Sequence, residues 1–172
     1  EEQEQQITAW EYGPLNRVEA IWERFNTTFA RKTAYLYNEH GQLKSIVKPN
    51  GIVLYHEYDD LGRMKTFTAS DSSFSYGYEY DKNSNVIAVT DTVNNTVTRR
   101  TYDAVGNIIH EELANSLAVG RSFDRMGRTT TLSFHADRSV EYSYDSFHLR
   151  DVSYTKNSET YEHSYDAFGI HG

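Results

Sequence analysis

Six aspartates at a regular spacing and seven histidines are the residues of this 172-residue chain best suited to chemistry. The aspartates are Asp59, Asp81, Asp103, Asp124, Asp145 and Asp166, and each directly follows an aromatic residue. Acid–base catalysis needs converging carboxylates in unlike environments, one protonated and one not. Copies at a fixed spacing are expected in equivalent environments instead. Calcium accepts repeated oxygen ligands, but each copy offers one fixed carboxylate. Turn stabilisation is therefore the expected role. The histidines are His40, His56, His110, His135, His148, His163 and His171. They form no His-Glu-x-x-His motif, and the chain has no cysteine, which removes thiolate metal sites, disulfides and thiol nucleophiles. There is no Gly-x-Ser-x-Gly elbow and no Gly-rich phosphate loop before a helix. No catalytic residue, cofactor or metal is expected, and the chain is not read as an enzyme.

What positions the aspartates is a repeat. Its leading aromatics are Tyr12, Tyr37, Tyr58, Tyr80, Tyr102, Phe123, Tyr144 and Tyr165, at intervals of 21 or 22 after a first gap of 25. Glycine falls four residues after the aromatic at Gly41, Gly62, Gly106, Gly127 and Gly169. That pattern predicts a left-handed or bulged turn residue, with Asp accepting backbone N–H bonds inside the turn. Asn16 is tolerable there, whereas Ser84 and His148 fit less well and predict turns that differ or carry strain. Arg63 and Arg128 follow two of the glycines.

A second punctuation lies 13 or 14 residues after each aromatic: Pro49-Asn50-Gly51, Ser70-Asp71-Ser72-Ser73, Val93-Asn94-Asn95, Ala114-Asn115-Ser116, Ala136-Asp137-Arg138-Ser139 and Lys156-Asn157-Ser158-Glu159, with Asn26-Thr27-Thr28 in the first copy. Two turns per period leave two segments of strand length. Alternation supports strands, since Phe74, Tyr76, Tyr78 and Tyr80 fall on one face, as do Tyr142 and Tyr144, Tyr161 and His163, and Leu54 and His56. Ala20–Phe25 reads briefly as helix, but its place in the repeat predicts a strand. The expected fold is all-β: tandem antiparallel hairpins of about 21 residues in one long curled sheet. Residues 1–11 are expected to be an acidic lead, and 12–172 an array of about seven full hairpins plus a partial last one.

Composition narrows the partners. Tyrosine alone accounts for 14 residues, which disfavours disorder. A formal charge of -8 without a basic block excludes nucleic acid and anionic membrane as expected partners. No apolar run is long enough to span a bilayer as a helix, and no targeting segment is visible. The chain begins without Met and is expected to be a piece of something larger. Open end strands predict self-association.

The motif Tyr-Asp-x-x-Gly-Arg, complete in Tyr58–Arg63 and as Phe-Asp in Phe123–Arg128, resembles the YD repeats of the Rhs family. That family includes bacterial Rhs polymorphic toxins, Tc toxin C subunits, wall-associated repeat proteins and teneurins. The resemblance runs from Tyr12 to Gly169. It implies a strip of hairpins spiralling into a hollow shell, which in the toxin members sequesters a C-terminal toxin. Its turn residues map here onto Asp59, Gly62 and Arg63, and onto Asp124, Gly127 and Arg128, with Asn85 and Asn107 in place of Arg. The Asp-Pro-x-Gly segment that the toxin members link to release is missing, because Pro14 and Pro49 are the two prolines and neither follows Asp. The resemblance therefore implies a structural sector of a shell wall, in a parent that is secreted or displayed on a bacterial surface. Its partners would be the remaining shell repeats and an enclosed toxin domain. The alternative is a carbohydrate- or receptor-binding module, with Tyr76, Tyr78, Tyr80, Tyr142, Tyr144 and Tyr161 as its aromatic face.

Overall fold

Short segments with period-two alternation, broken every eight to twelve residues by Asp, Asn, Gly or Ser, favour strands over helices. The computed structural model describes residues 7–24, 30–134 and 137–165. Among them are fifteen strands: β1 (Ile7–Tyr12), β2 (Val18–Arg24), β3 (Ala30–Tyr37), β4 (Leu43–Val47), β5 (Val53–Tyr58), β6 (Met64–Ala69), β7 (Ser75–Tyr80), β8 (Val86–Asp91), β9 (Thr96–Tyr102), β10 (Ile108–Glu112), β11 (Ala118–Phe123), β12 (Thr129–Phe134), β13 (Arg138–Asp145), β14 (His148–Lys156) and β15 (Glu159–Ser164). They form one open sheet in simple sequence order, β1 to β15. The fold is all-β and built of consecutive antiparallel hairpins. Among the described residues a single 3-10 turn, Pro14–Asn16, lies in the first hairpin.

Ala20–Arg24 belongs to β2, so the strand expectation holds there, while Phe25 lies outside the described residues. Residues 7–11, grouped with the acidic lead in the sequence, form a strand together with Tyr12 and pair with β2. By contact the chain divides into two units, Glu1–Glu79 with Thr90–Asn95, and Tyr80–Val89 with Thr96–Gly172.

Five of the leading aromatics close their strands and pair with the residue six places on: Tyr12 with Val18, Tyr37 with Leu43, Tyr58 with Met64, Tyr102 with Ile108, and Phe123 with Thr129. The preceding residue pairs eight places past the aromatic, as in Glu57 with Thr66 and Ser122 with Thr131. One residue between them, Lys65 or Thr130, is left over. The result is a β-bulge in every such hairpin, which adds local right-handed twist.

The register sorts side chains cleanly. In the first unit Leu54 lies opposite Ala69, His56 opposite Phe67, and Phe67 opposite Tyr76, all on one face. In the second unit that apolar character continues through Val119 opposite Phe134, Leu132 opposite Val140, and Tyr142 opposite Val152. The reverse face carries Gly120, Ser133, Ser139 and Thr155 in cross-strand succession. One sheet layer has nothing of its own to cover an apolar face. The buried apolar residues described are accordingly few and mostly small: Ala20, Leu54, Ala69, Ala88 and Val119.

Candidate functional site

The recurrent turn is the best-defined polar site, and Asp59 shows how it works. Its Oδ1 accepts the N–H groups of Leu61 at 3.0 Å and Arg63 at 2.9 Å, while its Oδ2 accepts Arg63 Nε at 2.7 Å. The backbone closes the same loop twice, Asp59 N–H to Arg63 C=O at 2.8 Å and Gly62 N–H to Asp59 C=O at 2.9 Å. Gly62 sits at φ +78° and Gly106 at +92°, the left-handed region in which a side chain is strained.

The same geometry recurs at Asp81, Asp103 and Asp124. Their Oδ1 atoms accept from Asn83 and Asn85, from Val105 and Asn107, and from Met126 and Arg128. Arg128 Nε reaches Asp124 Oδ2 at 2.7 Å, and the amides of Asn85 and Asn107 reach Oδ2 of Asp81 and Asp103 at 2.9 Å. Asn in place of Arg thus keeps the contact with a shorter donor. Ser84 takes the left-handed residue's place at φ +66° and makes the same backbone bond, so its turn is of the common type.

The turn after Tyr144 is different. Asp145 pairs directly with His148 across Ser146-Phe147, a two-residue connection in which Ser146 carries the positive φ of +50°. Asp145 is therefore a strand end, and His148 begins β14. Asp166 and Gly169 lie outside the described residues.

The sequence did not reveal a second contact set. Tyr37 Oη donates to Val18 C=O at 2.8 Å, Tyr58 to Leu43 at 2.9 Å, Tyr102 to Val86 at 2.8 Å, and Tyr144 to Thr129 at 2.7 Å. In each case the acceptor is the carbonyl of the residue at which the previous hairpin's second strand begins. The leading ring closes its own turn, and its hydroxyl ties that turn to the hairpin before. Guanidinium groups from the preceding turn cap two of these rings, Arg17 over Tyr37 at 5.6 Å and Arg128 over Tyr144 at 4.2 Å. The signal available in the sequence was the choice of Tyr over Phe at seven of the eight leading places.

The residues expected to form an aromatic face divide between the units. Tyr76 and Tyr78 fall in the first, and Tyr80, Tyr142, Tyr144 and Tyr161 in the second. Tyr76 ends a ladder of rings: His56 to Phe67 at 4.7 Å, Phe67 to Phe74 at 4.7 Å, and Phe74 to Tyr76 at 5.7 Å. Tyr76, Tyr78, Tyr80, Tyr142 and Tyr144 are half-buried, whereas Tyr161 is 62% exposed. In the second unit Glu111 bridges Arg100 at 2.7 Å and Arg121 at 3.6 Å. No cluster of three or more potential metal-ligating side chains occurs among the described residues.

Charge states follow from these contacts. The Arg63 side chain holds Asp59 below its ordinary value, the Asn107 amide does so for Asp103, and the Arg128 backbone N–H for Asp124. Asp151 is lowered to about 2, first by Ser143 and then by Arg150 and Ser164. Desolvation lowers His56, whose Nδ1 has no hydrogen-bond partner. The signs differ in window. A lowered carboxylate contributes stability that is complete above about pH 4 and lost as pH falls through its folded value. A lowered histidine keeps its native, neutral form above about pH 6.5, and stability falls as pH drops below that. The melting temperature should therefore decline in two legs, one starting below about pH 6.5 and one below about pH 4. His56→Phe should abolish the upper leg and Asp151→Asn should shrink the lower one. An unchanged upper leg in His56→Phe would refute the assignment.

The RHS Repeat family model matches residues 37–73 and 80–116, two blocks that contain the turns at Asp59, Asp81 and Asp103. Within those two blocks the chain carries RHS repeats. Its fold is similar to the crystal structure of TcdB2-TccC3-Cdc42, with a TM-score of 0.57 and 16% identity over 94% of this chain and 9% of that one. The crystal structure of TcdB2-TccC3 without its hypervariable C-terminal region gives a TM-score of 0.56 at 16% identity, over the same shares. The Tc holotoxin pore of Photorhabdus luminescens gives 0.56 at 17%, over 92% of this chain and 8% of that one. The chain thus spans less than a tenth of the length of these structures. No helix among its described residues is long and apolar enough to cross a membrane.

Proposed function

We propose that this chain is a wall segment of a larger RHS-repeat protein, one that encloses a C-terminal toxin domain and helps deliver it. The observation that carries the reading is that the described strands form one sheet with few buried residues among them, while Phe67, Phe74 and Tyr76 make a ladder of rings in the first unit. The Asp turns close each hairpin and the tyrosine hydroxyls tie it to the hairpin before. Such a sheet gains most of its stability between neighbours and leaves one apolar face for something else to cover. The structural likeness to the TcdB2-TccC3 assemblies supports that setting, and with it a secreted or surface-displayed parent. No enzymatic role is proposed, since the recurring carboxylates are occupied within their own turns.

A glycan-binding role has one observation in its favour, the exposed ring of Tyr161. Against it, Tyr144 is capped by Arg128 and bonded to Thr129, and Tyr76 is stacked on Phe74. The wall reading is tested on the full-length parent by limited proteolysis. The region C-terminal to the repeats should resist cleavage while the repeats are folded and become sensitive when they are unfolded. Equal cleavage in both states would refute enclosure.

A further inference from the structure

The turns at Asp103 and Asp124 belong to consecutive hairpins of the second unit, and between them lies a hollow of about 630 Å³. Small-ligand sites commonly fall between about 300 and 1,000 Å³. Val105, Ile109 and Phe123 give the hollow apolar walls, and Arg121 and Arg125 line it as well. Neither guanidinium has its donors fully engaged. Glu111 bonds Arg100 Nε at 2.7 Å and stands 3.6 Å from Arg121 Nη2, too far for a hydrogen bond. Arg121 Nη1 is buried and has no hydrogen-bond partner. Arg125 is exposed near the turn tip, without an ion-pair partner among the described residues. The lining carboxylates are already engaged, Asp103 with Val105 and Asn107, and Asp124 with Met126 and Arg128.

The first unit holds the corresponding hollow, of about 770 Å³, between the turns at Asn38 and Asp59. Its place in the repeat is the same and its charge pattern is not. His56 takes the place of Arg121, two residues before the leading aromatic, while Asp60 replaces Arg125 and Lys44 replaces Ile109. Among the described residues, the buried side-chain polar atoms without a partner are His56 Nδ1 and Arg121 Nη1. Both fall at one repeat position, and each residue lines its own hollow. An unmet buried donor costs free energy that an acceptor in the hollow would recover. A guanidinium takes a carboxylate best, through two parallel N–H···O bonds. Of the two hollows, the second unit's is the one lined by guanidinium groups.

We propose that the second-unit hollow binds a carboxylate on an apolar body, the side chain of an acidic residue flanked by apolar ones in a polypeptide segment. Arg121 and Arg125 hold the carboxylate, and Val105, Ile109 and Phe123 cover the flanking apolar groups. In and around the hollow, the guanidinium groups of Arg100, Arg121, Arg125 and Arg128 stand against the carboxylates of Asp103, Glu111 and Asp124. That leaves one positive charge for the ligand. Such a site stands whether or not the parent encloses a toxin. The first-unit hollow, with His56 and Asp60, is its internal control.

Nuclear magnetic resonance titration of the full chain with the acetylated, amidated tripeptide Leu-Glu-Leu reads the site directly. The amides of Val105, Ile109 and Arg121 should shift and saturate together, while those of His40, Lys44 and His56 stay in place. The tripeptide Leu-Gln-Leu and free acetate should each bind about tenfold more weakly or worse, the first for want of charge and the second for want of apolar groups. Arg125→Glu, at an exposed tip, should weaken binding of Leu-Glu-Leu about tenfold at an unchanged melting temperature, and Arg121→Gln should weaken it by about tenfold or more. Equal affinity for the two tripeptides, acetate binding as tightly as Leu-Glu-Leu, shifts centred on His56, or full affinity in both arginine variants would each overturn the proposal.

Discussion

Replacing Tyr37, Tyr58, Tyr102 and Tyr144 together by Phe should lower the unfolding free energy by about 4 kcal/mol, at about 1 kcal/mol for each hydroxyl removed. The rings would remain in place, so the loss isolates the bond from hydroxyl to carbonyl. Four such bonds stand in separate hairpins, with acceptors at Val18, Leu43, Val86 and Thr129. Sites this far apart with no shared partner add closely. At about 2–4 °C per kcal/mol for a chain of this size, the quadruple variant should melt roughly 8–16 °C lower. The converse is equally informative. Phe123 holds a leading place without a hydroxyl, and its pairing partner is Thr129, as Leu43 is for Tyr37. Phe123→Tyr should reach the Ile108 carbonyl and gain about 1 kcal/mol. Thermal or urea unfolding measures both. A quadruple variant as stable as the parent would show that the hydroxyls bond equally well to water.

The hairpin repeat and the common turn type were legible in the sequence, and for one reason. Turns such as Tyr58–Arg63 are local, and their Asp, Gly and Arg act on backbone groups two to four residues away. What escaped was whatever depends on the neighbouring hairpin. The Tyr58 hydroxyl meets a carbonyl fifteen residues back, and period-two alternation says nothing of it. The bulge at Lys65 escaped too, because an extra residue inside a strand leaves the outer spacing of the repeat unchanged. The turn at Ser146-Phe147 looked like a poor copy of the common one, with His148 in the glycine's place. It is a different and shorter turn, in which the positive φ has moved two residues earlier to Ser146. Ser84 shows the reverse. Its type argued for a turn that differs or carries strain; the turn is the common one, and the bonds between Asp81 and Asn85 hold Ser84 in the left-handed region at φ +66°.

Phe67→Ala should cost about 3 kcal/mol and, more tellingly, should cost it in one place. Phe67 is the central rung of the first unit's ladder, with His56 and Phe74 each 4.7 Å away. Its removal takes out two ring contacts and the apolar area they cover, at the lower end of the range for a large core deletion because the face is half-buried. In a globular core the loss would spread through the whole cooperative structure. In an array where each hairpin touches only its neighbours, free energy is a sum of local and nearest-neighbour terms. Hydrogen exchange should therefore speed up in β5, β6 and β7 while protection in β13 and β14 stays at parent levels. A matching Val140→Ala substitution, opposite Leu132 and Tyr154, should do the reverse. Uniform loss of protection along the chain in both variants would mean that the sheet unfolds as one unit, and the hairpin-to-hairpin account of its stability would fail.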